Sequence, residues 1–276
     1  MSRPIATHLV QLTHPDEGRR AALVDRNELH LLATYRSIFD FAMAAVQTRC
    51  KLRDLLSMDL SGIVLDYREV YALETPWRFL PAFDHPQEPG RCLVSAIAGG
   101  KWGYQGLGDS LGGHGEPLPV VNLPARIALP EIAAVYIIGE RGTPRRVGLA
   151  AGIRGGRRNA LGPELVLDVD FPQLEGDARL VGEGRETWSR KVCTGGVSLP
   201  LALVAVESEH FQNADHRRPG DTHVHFFGEK LFGAADCPPV HENDEVTVEF
   251  NGFGWRLIAK VLAQQLAPVL AGALPL

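Results

Sequence analysis

Glycine punctuates residues 99 to 115 so densely that no stable helix can run through them. The stretch reads Gly99-Gly100-Lys101-Trp102-Gly103-Tyr104-Gln105-Gly106, then Gly112-Gly113-His114-Gly115. Each glycine in a helix interior costs about 1 kcal/mol relative to alanine, because glycine loses the most backbone freedom on folding. The chain beyond it is strand-like. Glu131-Ile132-Ala133-Ala134-Val135-Tyr136-Ile137-Ile138-Gly139 is a β-rich run, Arg141-Gly142-Thr143-Pro144 is a turn, and Arg146 to Gly152 runs back. Glu164 to Val169 and Thr222 to Phe227 alternate with period two. Two helices are predicted in this region. Leu199, Leu203, Val206 and His210 align over residues 199–211, and Ile258, Val261, Leu262, Gln265 and Val269 form a stripe over 257–270, limited by Pro268.

The chain before residue 86 has a different character. Residues 8–12, 21–24 and 28–32 read as short strands, with Asp25-Arg26-Asn27 as a turn. Ser37 is placed to cap a helix whose Ile38, Phe41, Ala42 and Ala45 share a face, and a second short helix is predicted over 51–58. Leu80-Pro81-Ala82-Phe83-Asp84-His85-Pro86 is a proline-punctuated connector. The expected architecture is therefore α+β and strand-rich: a small N-terminal α/β domain over 1–85, and a β-roll over 86–276 with a C-terminal helix.

Charge and composition narrow the function classes. A net charge of −5 argues against a general nucleic-acid binder. No stretch approaches the ~20 apolar residues needed to cross a bilayer, and Met1-Ser2-Arg3-Pro4 lacks the apolar core of a signal peptide. A cytoplasmic protein is expected. Cys50, Cys92, Cys193 and Cys237 have no ligand-like spacing, so buried thiols in a reducing compartment are expected rather than disulfides or zinc.

Several blocks, taken in order, resemble the fumarylacetoacetate hydrolase superfamily, and within it the branch that dehydrates 2-keto-3-deoxy sugar acids. They are the connector 80–86 with Arg91-Cys92-Leu93-Val94-Ser95, then Pro130-Glu131-Ile132-Ala133, Arg146-Val147-Gly148 and Gly162-Pro163-Glu164-Leu165. The longest is Arg217-Arg218-Pro219-Gly220-Asp221-Thr222-His223-Val224-His225-Phe226-Phe227-Gly228. The resemblance implies a mixed β-roll that dimerises. It also implies a divalent cation held by an E-x-E pair and a third acid on the next strand, polarising the oxygens of an oxo acid. Here the E-x-E becomes Leu129-Pro130-Glu131, and the third acid becomes Arg154 within Gly152-Ile153-Arg154-Gly155-Gly156-Arg157-Arg158. One carboxylate beside a guanidinium is not a magnesium site, so neither a metal nor another cofactor is expected.

Each remaining candidate has two readings. Glu131 is either a retained site acid or half of a buried pair with Arg154. Arg154, Arg157 and Arg158 either clamp a carboxylate bidentately or form a solvated basic turn. Lys101 and Trp102 either put an amine beside a stacking surface or merely solvate and pack a loop. Lys101 falls where the resemblance expects a histidine, and Glu229 and Lys230 fall where it expects substrate contacts. His223 and His225 share a strand face, as a metal pair would, but the resemblance carries the same pair without using it as its main metal site, which favours a structural role.

Three functions are compatible with these residues. The first is a metal-independent, lyase-type enzyme of a small oxo acid, working by dehydration, decarboxylation, isomerisation or cyclisation, in a biosynthetic setting. Its catalytic residues would be Glu131, Lys101 and Arg154, with Arg157, Trp102, Glu229 and Lys230 binding a small carboxylate substrate, in a homodimer. The second is a non-catalytic relative that binds an acid or a protein partner. The third is a metal-dependent C–C hydrolase, disfavoured by the lost ligands.

Overall fold

The computed structural model describes residues 6–155, 158–167, 173–194, 199–233 and 236–265. The chain opens with strands β1 (Thr7–His14), β2 (Gly18–Asp25) and β3 (Glu28–Leu32). Helices α1 (Ile38–Thr48) and α2 (Leu52–Leu56) precede β4 (Leu60–Asp66), and α3 (Tyr67–Tyr71) precedes the short β5 (Arg78–Phe79). Then come β6 (Cys92–Ala98), β7 (Lys101–Leu107), β8 (Leu111–Gly112) and β9 (Pro117–Val121). The long hairpin of β10 (Ala128–Ile138) and β11 (Pro144–Arg154) is followed by β12 (Asn159–Leu161), β13 (Glu164–Leu167), β14 (Glu175–Gly182) and β15 (Arg185–Cys193). Helix α4 (Leu199–Phe211), β16 (Thr222–Phe226), α5 (Gly228–Phe232), β17 (Glu245–Phe250) and β18 (Leu257–Gln264) complete it.

Two mixed sheets result. The larger runs β4-β3-β2-β1-β13-β11-β10-β16-β6-β7, with β5, β8 and β12 attached at its sides; the smaller runs β15-β14-β17-β18-β9. Strands from both sides of residue 85 share the larger sheet, through the β1–β13 pairing. Beyond Glu131 the β10 run from Ile132 to Ile138 is almost wholly apolar because both of its faces are covered. Ile132, Ala134, Tyr136 and Ile138 pack with the smaller sheet and α4, while Ala133, Val135 and Ile137 pack with α1. Burying a side chain the size of Phe41 contributes about 1.5–3 kcal/mol, and Phe41 is fully buried beneath α1. Ser37 caps that helix as expected, its Oγ accepting from the Asp40 amide at 3.0 Å.

Ion pairs fix the seams. Asp84 of the connector takes both arms of the Arg19 guanidinium at 2.7 and 2.6 Å. Glu164, at the start of β13, accepts from Tyr67 Oη at 2.8 Å and the Trp255 amide at 2.9 Å, and sits 2.6 Å from His8 Nδ1. Two of the blocks that carried the resemblance are neighbours: residues 92–96 and 222–226 pair as parallel strands β6 and β16.

Two expectations are corrected. The C-terminal helix is a strand over residues 257–264, paired antiparallel with β17 and parallel with β9; 266–276 lie outside the described residues. Leu257, Ala259 and Val261 are the buried positions, so the period is two. A short apolar stretch satisfies both templates, and the partner strands decide between them. The four cysteines are free thiols as expected, but only Cys92 and Cys237 are buried, while Cys50 and Cys193 are exposed.

Candidate active site

Glu131 sits on β10 opposite Gly152 of β11, and Arg154 ends β11 opposite Ala128, across a register shift between Ala128 and Glu131. That irregularity lets the arginine reach back along the hairpin. Arg154 donates from Nε and Nη2 to Glu131 Oε1, at 3.2 and 3.1 Å. The other oxygen, Oε2, accepts from the Gly228 amide at 2.7 Å. Glu229, next along, places Oε2 4.0 Å from Arg154 Nη2 and accepts from the Gly99 amide through Oε1 at 2.6 Å. The guanidinium thus lies between two carboxylates, on a cluster contributed by β10, β11, the start of α5 and the turn joining β6 to β7. Only 1% of the Glu131 side chain is exposed, against 14% for Arg154. Burial pushes the Glu131 carboxyl up to about 7, against the opposing pull of Arg154 and the Gly228 amide.

A hard divalent cation needs about six oxygen ligands. Here the space between Glu131 and Glu229 holds a guanidinium, and one Glu131 oxygen is committed to a backbone amide. The residues present do not fit Mg²⁺ or Mn²⁺.

The other predicted residues are more scattered. Lys101 opens β7 directly after the Gly99-Gly100 turn and is exposed. Trp102 is half-buried and turned towards His210 and His225, with ring centroids at 4.8 and 5.0 Å. Lys230 is exposed, and Arg157 lies outside the described residues. Arg158 pairs with Glu116 at 2.5 Å. Of the predicted set the structure therefore brings together Glu131, Arg154 and Glu229. The Gly228 amide was not foreseen, because a backbone donor leaves no side-chain signal.

A second polar cluster lies on the other parity of the same strands. His223 and His225 face Tyr136 and Ala134 across the β10–β16 ladder, and His210, from the end of α4, joins them. Burial holds His210 down to about 3 and His223 to about 4, and pushes His225 well down too, so all three rings are neutral at pH 7. The buried stripe of α4, which ends on His210, was the available sequence signal.

Among the described residues, cavities that open on the surface include three of some size. One of about 690 Å³ lies between α1 and the β10–β11 turn, lined in part by Arg49, Arg141 and Arg145. One of about 300 Å³ lies beside Trp102, His210, His216 and His223, and one of about 470 Å³ beside Tyr71 and Trp255. Glu131 and Arg154 line none of these three.

Solved structures share this architecture over 94% of the chain. A 2-keto-3-deoxy-D-arabinonate dehydratase complexed with magnesium and 2,5-dioxopentanoate superposes with a TM-score of 0.65 at 15% identity, covering 94% of this chain and 100% of its own. The fold is fumarylacetoacetate hydrolase-like. A 2-hydroxyhepta-2,4-diene-1,7-dioate isomerase from Mycobacterium marinum matches with a TM-score of 0.54 at 13% identity, covering 94% of this chain and 99% of its own. A fumarylacetoacetate hydrolase from Exiguobacterium antarcticum gives 0.56 at 13% identity, covering 94% and 100%. No family model and no curated protein matches the sequence. Among the described residues no helix is long and apolar enough to cross a membrane.

Proposed function

We propose that this chain is a lyase-type enzyme of a small oxo acid that works without Mg²⁺ or Mn²⁺ at the Glu131 position. One observation carries the reading: a guanidinium lies between Glu131 and Glu229, in a fold whose solved relatives include a dehydratase complexed with magnesium and a dioxo acid. Arg154 supplies fixed positive charge, able to hold a substrate carboxylate or stabilise an enolate. Nη1 makes no hydrogen bond among the described residues and is the atom left to do so. Glu131, held near neutrality by burial, is poised to take a proton or give one back. Lys101, in the hairpin whose turn touches Glu229, is the second proton-transfer candidate. Arg157, Trp102, Glu229 and Lys230 complete the proposed substrate surface, in a homodimer.

The test is a thermal-shift screen of 2-oxo acids and dicarboxylic acids, 2,5-dioxopentanoate among them, followed by turnover assays on the hits. A hit should be lost in Arg154→Ala, and adding Mg²⁺ or Mn²⁺ should leave turnover unchanged. Activation by either ion, abolished in Glu131→Gln, would overturn the reading. The burial of Glu131 and its absence from the three cavities favour a second reading, a non-catalytic acid binder. Binding without turnover of any hit decides for that one.

A further inference from the structure

The histidine cluster belongs to neither reading of Glu131. The Glu131 carboxylate and the β16 histidines stand at opposite parity: Glu131 shares its face of β10 with Ala133 and Val135, while His225 and His223 lie opposite Ala134 and Tyr136. Period two puts His223 and His225 side by side, and α4 brings His210 onto them. One nitrogen from each ring lies within 4.8 Å of the other two. All three residues are buried, His223 and His225 completely.

Their hydrogen bonding is the anomaly. Both ring nitrogens of His225 and Nε2 of His223 are buried without a partner. Buried polar groups in folded proteins are nearly always satisfied, and one that is not calls for an explanation such as an ion. Five aromatic or imidazole neighbours surround His225, namely Trp102, Tyr136, Phe211, His210 and His223, and none supplies its missing bonds. The one hydrogen bond within the trio, His210 Nε2 to His223 Nδ1, measures 3.3 Å. A tetrahedral ion with Zn–N bonds of about 2.0–2.1 Å has ligand nitrogens about 3.3–3.4 Å apart, and the His210 and His223 rings already approach to that spacing, through a His223 nitrogen other than its unpartnered Nε2.

The geometry points to a transition-metal site formed by His210, His223 and His225, taking Zn²⁺ or a similar imidazole-preferring ion. Three imidazoles and no carboxylate select borderline ions over Mg²⁺ or Ca²⁺. His210 and His223 also line the cleft of about 300 Å³, which gives the ion a way in from solvent and leaves the fourth position to water or a small anion. The Trp102 ring, 4.8 and 5.0 Å from two of the ligands, is a built-in reporter.

The experiment uses the full-length protein, stripped with a chelator and titrated with Zn²⁺ and Co²⁺. One Zn²⁺ per chain by elemental analysis is expected, with a rise in unfolding temperature. Co²⁺ should give a visible ligand-field spectrum and quench Trp102, and the quenching should vanish in Trp102→Phe. His225→Phe, which removes a ligand from a fully buried position, should lower Zn²⁺ affinity by more than about 100-fold, beyond the 10–100-fold typical of losing an outer-shell partner. Glu131→Gln should leave it unchanged, which separates this site from the proposed active site. Should His225→Phe fail to fold, X-ray absorption on the Co²⁺-loaded wild type decides, three imidazole scatterers being the expected result. No stoichiometric binding, or binding that survives His225→Phe, would overturn the proposal.

Discussion

Removing the Arg154 side chain is the sharpest test of the Glu131 pair, because its cost should depend on pH in a calculable way. Glu131 binds its proton more tightly in the folded protein, at about 7, than the usual 4.5. The difference corresponds to about 3 kcal/mol, at about 1.4 kcal/mol for each tenfold change in acidity. A raised carboxyl contributes its stability fully below pH 4.5 and has lost it once the pH passes about 7. In Arg154→Ala the guanidinium's downward pull is gone, so the folded carboxyl rises further and the loss extends above neutrality.

The two proteins should therefore diverge with pH. At pH 5 Glu131 is protonated in both, and Arg154→Ala costs about 1 kcal/mol for lost hydrogen bonds and stem packing. Above pH 7 the wild type ionises against its partner while the variant must hold its proton, so the penalty grows by about 1.4 kcal/mol per pH unit. It should reach about 2–3 kcal/mol by pH 8.5, within the 3–5 kcal/mol ceiling for breaking a buried pair. Urea unfolding at pH 5, 7 and 8.5 measures this directly. Adding Glu131→Gln to the variant should abolish the pH dependence. A penalty that is flat with pH, or larger at pH 5 than at 8.5, refutes the argument.

Arg154→Lys should recover no more than half of that stability, since an ammonium cannot reproduce the two-armed contact to Oε1; the same urea series reads it. A Cβ at Gly228 would fall 2.7 Å from Glu131 Oε2 and 2.8 Å from its Cα, so Gly228→Ala should cost about 1–3 kcal/mol in overpacking and lose substrate binding along with stability. Glu164→Ala removes the shared acceptor of Tyr67 and Trp255 and the partner of His8. It should destabilise by about 3–5 kcal/mol in equilibrium unfolding, with Glu164→Gln costing less. Elemental analysis of wild type and Glu131→Gln should show the same Mg²⁺ and Mn²⁺ content, near zero.

The sequence carried most of the large sheet because its strands announce themselves by period. Thr222 to Phe226 alternates, and β10 is apolar from Ile132 to Ile138 apart from the Tyr136 hydroxyl because two cores share it. It misled at residues 257–264, where the pairing of β18 with β9 and β17, and not any local preference, selects the strand. The Glu131–Arg154 contact was legible because hairpin neighbours are close whatever the rest of the chain does. Glu229 was placed near it only through the resemblance. His210 was invisible as a partner of His223 and His225, although its buried stripe was plain, because periodicity reports which face is covered and not what covers it.

The surroundings of Glu131 are set by backbone approach as much as by charge. Glycine at 228 lets a backbone amide approach Glu131 to 2.7 Å, and at 152 a Cβ would come within 2.6 Å of the Phe226 ring. Those are constraints of backbone approach, indifferent to whether the carboxylate faces a cation or a guanidinium. A carboxylate needs a positive partner in either case, since an unpaired buried charge is far costlier than the loss of any one contact. Arg154 meets that need from the adjacent strand with no change in register beyond the shift already present between Ala128 and Glu131. The fold therefore offers Glu131 two ways to stay buried, a positive partner such as Arg154 or its own proton. Placing an acid at 154 would leave Glu131 facing a like charge, and one of the two carboxyls would have to hold its proton or share a cation with the other.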